Sequence, residues 1–150
     1  MTTLQKGDVA PNFSGLDQDG NLHTLEMYKG KKLVVFFYPK ANTPGCTAEA
    51  CDLRDHFEHF QANNFALLGV SADAPKAQAK FKEKYQFPFS LLADEDKSVI
   101  TAFGVWGPKK FMGKEYDGIH RTTFVIDENG IIDAVISEVK TKAHAAQILN

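Results

Sequence analysis

The stretch PKANTPGCTAEACDLRD, Pro39–Asp55, holds both cysteines of the chain, five positions apart, and it begins where the strongest strand signal, KKLVVFFYP at 31–39, ends. Thr43 is a good N-cap residue. Pro44 falls at the first helical position, where its missing N–H costs nothing and its fixed φ suits a helix. The stretch therefore reads as the turn from a central buried strand into a helix, which the pattern carries from about Pro44 to Ala62. Within it Cys46, Ala50, Leu53, Phe57 and Phe60 recur at alternating steps of four and three, forming an apolar stripe that meets a sheet.

Working outward, short strands alternate with helices. NFSGLDQDGNLHTL, 12–25, predicts a small hairpin around Asp19 and Gly20. FALLGVSA, 65–72, is a continuous apolar run that suits a strand covered on both faces. APKAQAKFKEKYQ (74–86) predicts a helix, FSLLAD (89–94) a strand and SVITAFGV (98–105) a short helix. Residues 106–119, rich in Lys and Gly, are expected as a long loop, a rim or partner contact. TTFVID (122–127) and IIDAVISEV (131–139) follow as strands joined by the turn Glu128, Asn129, Gly130, and KAHAAQIL closes the chain as a helix. Helical crossovers early and a hairpin late imply an α/β fold, a mixed central sheet with helices on both faces, for which thioredoxin-like architecture is one solution. One domain over 1–150 is expected, since 43% hydrophobic residues with twelve Phe can bury a core without staples.

With 17 Lys and Arg against 19 Asp and Glu, no basic field is available to neutralise a phosphate backbone, so nucleic acid is not expected as a partner. MTTLQKGDVAPNF lacks the basic and apolar regions of a signal peptide, and no apolar run approaches the roughly eighteen residues that span a bilayer. A cytoplasmic protein with no membrane association is the expectation. In that reducing compartment the two cysteines are either inert core residues or working thiols.

Counting from Thr43, Cys46 lies in the first helical turn, where unpaired backbone N–H groups and the positive end of the helix dipole favour a thiolate over a thiol. The competing reading makes Cys46 a small hydrophobe that finishes the stripe, with Thr, Pro and Gly as ordinary helix-start punctuation. Cys51 belongs to another side of the helix, near Arg54, Asp55 and Glu58. Five residues of ideal helix separate two Cα atoms by roughly 8.7 Å, beyond the limit of about 7 Å for a disulfide. Bridging would require the first turns to unwind. Cys46, Cys51, His56 and His59 also make C-x4-C-x4-H-x2-H, but along one helix they would span about 19.5 Å, too far for ligands that must all lie near 2 Å from one metal ion. There is no CxxC and no phosphate-loop glycine pattern.

The run P-x3-T-x2-C, here Pro39, Thr43 and Cys46, resembles the active-site motif of the peroxiredoxins. TPGCTAEACDLRD, with its second Cys, GVWGPKKFMGKEYDGIHRTTFVID at 104–127 and GDVAPNFSGLDQDG near the start are similar to the bacterioferritin-comigratory, or Q-type, subgroup. The resemblance covers nearly the whole chain. It implies a thioredoxin fold and thiol-dependent reduction of hydrogen peroxide and organic hydroperoxides with no metal, haem or flavin cofactor. On this resemblance Cys46 matches the peroxidatic cysteine and Cys51 the resolving one, the two forming an intrachain disulfide that thioredoxin or a similar dithiol re-reduces. Thr43 matches the hydroxyl that touches thiolate and peroxide, Pro39 the residue that shields the pocket, with Pro44 and Gly45 beside it. Arg121 matches the active-site arginine and Glu49 a carboxylate that orients it, and a monomer is implied.

Read without the resemblance, Arg121 is an exposed charge at a strand start, and Lys109, Lys110 and Lys114 are solvated loop charges. Trp106 and Phe111 are packing residues, and His23 and His144 carry no spacing signal. Two other functions compete with the peroxidase: a redox-responsive binding protein whose helix unwinds on oxidation, and a thioredoxin-like module with no thiol chemistry. Reaction of Cys46 with peroxide at a rate no greater than free cysteine would favour these.

Overall fold

The computed structural model describes residues 2–149. A hairpin, β1 (Ser14–Leu16) and β2 (Leu22–Thr24), leads through a 3-10 turn at Glu26–Tyr28 into β3 (Lys32–Phe37). Then come α1 (Pro44–Asp55), α2 (Phe57–Ala62), β4 (Phe65–Ser71), α3 (Pro75–Tyr85), β5 (Ser90–Ala93) and α4 (Ser98–Ala102). The chain ends with β6 (Trp106–Phe111), β7 (Lys114–Ile119), β8 (Thr122–Ile126), β9 (Ile132–Ile136) and α5 (His144–Leu149).

The central sheet has the order β5-β4-β3-β8-β9. The pairs β3/β4 and β4/β5 are parallel, while β8 runs antiparallel to both β3 and β9, so the sheet is mixed. The period of two along β3 sorts its side chains into two cores. Leu33, Val35 and Phe37 pack on one face with Val99, Ile100 and Phe103 at α4, and with Phe13. Val34, Phe36 and Tyr38 pack on the other face with Cys46, Ala50 and Leu53 of α1, Phe60 of α2, Phe81 of α3 and Ala145 of α5. Helices thus cover both faces. Gly69 of β4 lets this second face close: a Cβ there would lie 2.7 Å from Leu91 Cδ2 and 2.8 Å from Phe36 Cζ, so any larger residue would push the aromatic layer outward.

Two elements differ from the sequence expectation. The helix expected over 44–62 is broken at His56, whose backbone N–H bonds Leu53 O while its imidazole Nδ1 lies 2.8 Å from Asp52 O. The ring thereby takes the carbonyl that the next helical bond would have used. Residues 106–119 are not a loop: β6 and β7 form a two-stranded hairpin turning at Met112 and Gly113, both at positive φ. Most of it faces solvent on both sides, so it lacks the apolar alternation that marks a strand.

Candidate functional site

Residue 121 is brought to α1 by sheet register. Antiparallel pairing sets Phe37 opposite Thr122, so Arg121, just before β8, emerges at the end of β3 from which the chain turns toward α1. That turn is anchored: the Ala41 N–H donates to Asp73 Oδ2 at 2.8 Å, which also accepts from the Ser71 hydroxyl at 2.6 Å. Pro39 is half-buried at its start, Thr43 has the extended backbone of an N-cap, and Pro44 stands exposed at the first helical position. The Thr43 hydroxyl does not cap the helix as expected. It donates instead to Lys40 O at 2.7 Å, and among the described residues no side chain takes up the helix-start amides. Its oxygen lone pairs remain as acceptors, while its proton is committed.

Cys46 is buried at 2% exposure, one turn before Glu49 on the same face of α1. Arg121 bridges the two with its planar fork: Nη2 donates to Cys46 Sγ at 3.3 Å and Nη1 to Glu49 Oε1 at 2.6 Å. Gly45 keeps this approach open, since a Cβ there would stand 3.3 Å from Arg121 Nη2. Arg121 is therefore no solvated surface charge. Burial works against its positive charge, but Cys46 and Glu49 outweigh that and hold its pKa above the ordinary arginine value. Glu49, fully buried, is pushed up to about 7 by desolvation against the pull of Arg121. Its second oxygen, Oε2, has no hydrogen-bond partner among the described residues. Lys109 also departs from the expected loop charge. It is half-buried, its Nζ donates to Ile119 O at 2.8 Å, and its pKa is lowered by burial and by Arg121 nearby.

Cys51 is not part of this cluster. It sits in the same unbroken helix, half-buried against the second core, and both thiols are free. Burial raises its pKa, with Arg54 opposing and Asp55 adding. His56 and His59 are exposed, and among the described residues no three His, Cys, Asp or Glu side chains converge as a metal site would require. No helix among them is long and apolar enough to cross a membrane.

One residue near the site escaped the sequence reading. His144 of α5 is fully buried with its Nε2 3.6 Å from Glu49 Oε2. Only the tertiary fold brings it there, so no local spacing could have shown it.

Comparison with known proteins shows the family. The AhpC/TSA family profile matches residues 6–135. Peroxiredoxin Bcp of Escherichia coli K12 is 48% identical over 150 residues, spanning 100% of this chain and 96% of that protein. A putative peroxiredoxin bcp of Haemophilus influenzae is 47% identical over 150 residues, with 100% and 97% covered. Among solved structures, a cysteine-to-serine mutant of PrxQ from Xylella fastidiosa matches with a TM-score of 0.93 at 32% identity, covering 100% of this chain and 96% of that one. Peroxidoxin BcpB of Mycobacterium tuberculosis matches with a TM-score of 0.84 at 38% identity, covering 96% and 93%. A thioredoxin-like sheet with a buried cysteine and arginine at one end, matched over its full length in sequence and in fold, means that the chain belongs to the AhpC/TSA family, among its Bcp or Q-type peroxiredoxins.

Proposed function

We propose that the chain reduces hydrogen peroxide and organic hydroperoxides through a sulfenic acid on Cys46 and an intrachain Cys46–Cys51 disulfide, which thioredoxin or a similar dithiol re-reduces. The observation that carries this reading is the guanidinium held between Cys46 Sγ and Glu49. The Cys46 thiolate attacks one peroxide oxygen, the O–O bond breaks, and the leaving oxygen departs with the electron pair and takes up a proton. Arg121 and the uncapped amides at the start of α1 supply fixed donors where that negative charge develops. The Thr43 oxygen can accept a hydrogen bond from the incoming hydroperoxide, and Pro39 and Pro44 flank its approach.

The Cys51 sulfur then displaces hydroxide from the sulfenic acid, giving the disulfide and, with a proton, water. In the folded helix the two sulfurs cannot meet, and burial raises the Cys51 pKa. Unwinding of α1 shortens the distance and lifts that burial. The external dithiol restores both thiols by exchange. In this reading residues 1–150 act as one domain, as a cytoplasmic monomer, since the resolving thiol comes from the same chain.

Stopped-flow oxidation by hydrogen peroxide tests the proposal. Wild type and Cys51→Ser should react orders of magnitude faster than free cysteine, and Cys46→Ser should not react at Cys51. A slow Cys46 would leave the redox-responsive binding protein as the better account.

A further inference from the structure

Behind Arg121 lies a polar cluster that the reaction above does not use. His144 is wholly buried, as are Thr123 and Glu49. The protonation of its ring follows from its partners. Gln147 Oε1 accepts the Lys140 N–H at 2.9 Å while its Nε2 donates to Glu138 O at 2.9 Å, so the amide orientation is fixed. His144 Nδ1, 2.7 Å from that same Oε1, must therefore carry a hydrogen. In the neutral ring Nε2 is then an acceptor, and the Thr123 hydroxyl 2.7 Å away donates to it. The orphaned Oε2 of Glu49 lies 3.6 Å from this same nitrogen. With the Nε2 lone pair taken by Thr123, Oε2 is the buried acceptor left without a hydrogen, and one proton gained here can sit on Oε2 or, with the Thr123 hydroxyl turned to accept, on Nε2.

We propose that Glu49 Oε2 and His144 Nε2 together take up one proton, and that His144 is thereby a positioning residue that sets how much of the Arg121 charge reaches Cys46. This rests on the peroxidase reading of Cys46. The proton moves between solvent and the pair with no other bond made or broken. Burial pushes Glu49 up to about 7, which favours uptake near neutrality, and lowers His144, which keeps the ring neutral until the proton arrives. The two titrate as a unit. The other charged groups facing the pair are Arg121 before β8, Cys46 and Asp52 on α1, with Asp52 Oδ2 accepting the Ala145 N–H at 2.8 Å, and Lys109 of β6 beyond Arg121.

The sign follows from charge. With the proton present, the pair is neutral overall and the Arg121 charge is opposed only by the thiolate. Loss of the proton leaves a net negative charge beside Arg121, which disfavours the further negative charge that builds on the leaving oxygen. The rate constant per thiolate should therefore fall by roughly threefold to tenfold as pH rises through the transition, as expected of one charge acting through a partly shielded interior.

The experiment is the rate of Cys46 oxidation by hydrogen peroxide from acid to alkaline pH, with thiolate absorbance followed in parallel, in wild type, Glu49→Gln and His144→Gln. Each substitution keeps a neutral amide at the site, and circular dichroism confirms the fold. Wild type should show one ionisation that coincides with thiolate formation and a second that does not. Both variants should keep the first and lose the second, and nitrogen NMR of wild-type His144 should show Nε2 responding over that second interval while Nδ1 stays protonated. A wild-type profile with no second ionisation, or one that survives either substitution, overturns the proposal. A thiolate no faster than free cysteine would instead overturn the peroxidase reading.

Discussion

Replacing Gly45 by Ala should slow peroxide reduction without weakening the fold. The added Cβ would lie 3.3 Å from Arg121 Nη2, closer than ordinary contact, and the only atoms able to yield are those of the guanidinium. That group is held at 2.6 Å by Glu49, so it is displaced from Cys46 by a few tenths of an ångström rather than released. Stretching the 3.3 Å contact to about 3.7 Å lowers a charge–charge attraction by about 0.5 kcal/mol at an effective dielectric near 20. Loss of a directed hydrogen bond to a charged group adds about 1.5 kcal/mol. Together these bound the effect between about twofold and thirtyfold, and we expect about tenfold on the second-order rate of Cys46 oxidation. Stability should move the other way, because Ala is favoured over Gly in a helix by up to about 1 kcal/mol. Stopped-flow fluorescence gives the rate, and urea unfolding of the reduced protein gives the stability. A rate equal to wild type in a folded variant would show that Arg121 does not act on Cys46 through this contact.

Cys51→Ser should react with one equivalent of peroxide as fast as wild type but fail to turn over with thioredoxin, and with excess peroxide mass spectrometry should show Cys46 climbing on to sulfinic acid. Wild type after one equivalent should instead lose far-UV helical signal, since the bridge cannot form within an intact α1, and unchanged helicity in a protein shown to carry the disulfide would refute the unwinding. Glu49→Ala should slow Cys46 oxidation and cost about 2 kcal/mol in urea unfolding, less than the 3 to 5 of a fully satisfied buried pair because the orphaned Oε2 leaves with it. Phe103→Ala, on the opposite face of the sheet and 0% exposed, should cost about 3–5 kcal/mol while leaving the rate of the folded protein unchanged.

The parts of the fold that could be read from sequence are those with one buried face or two. The continuous apolar runs of β3 and β4 and the stripe from Cys46 to Phe60 all follow from side chains meeting a core, and so do the helices and strands placed within a few residues of their ends. The β6–β7 hairpin was hidden because its pairing depends on backbone bonds and a turn, with little apolar burial to pattern the sequence. The break at His56 was hidden because a ring nitrogen competes there for a carbonyl, a local exchange that hydrophobic spacing does not record. At the site, the helix start announced Cys46. Arg121 and Glu49 were reached only through family resemblance, since register across the sheet, not spacing along the chain, brings them together. His144 had no local signal, and Thr43 occupied the expected place with its proton turned elsewhere.

The two cores separated by β3 divide the consequences of oxidation unequally. The α1 side chains Cys46, Ala50 and Leu53, which the proposed disulfide would disturb, pack on one side of the sheet, while the cluster of Phe13, Val99, Ile100 and Phe103 on the other side shares none of them. Half the molecule can thus serve as a keel while the other half is rebuilt. Each catalytic cycle would be a partial melting that starts from a preserved template, so restoring the reduced site requires re-forming one helix rather than refolding the chain.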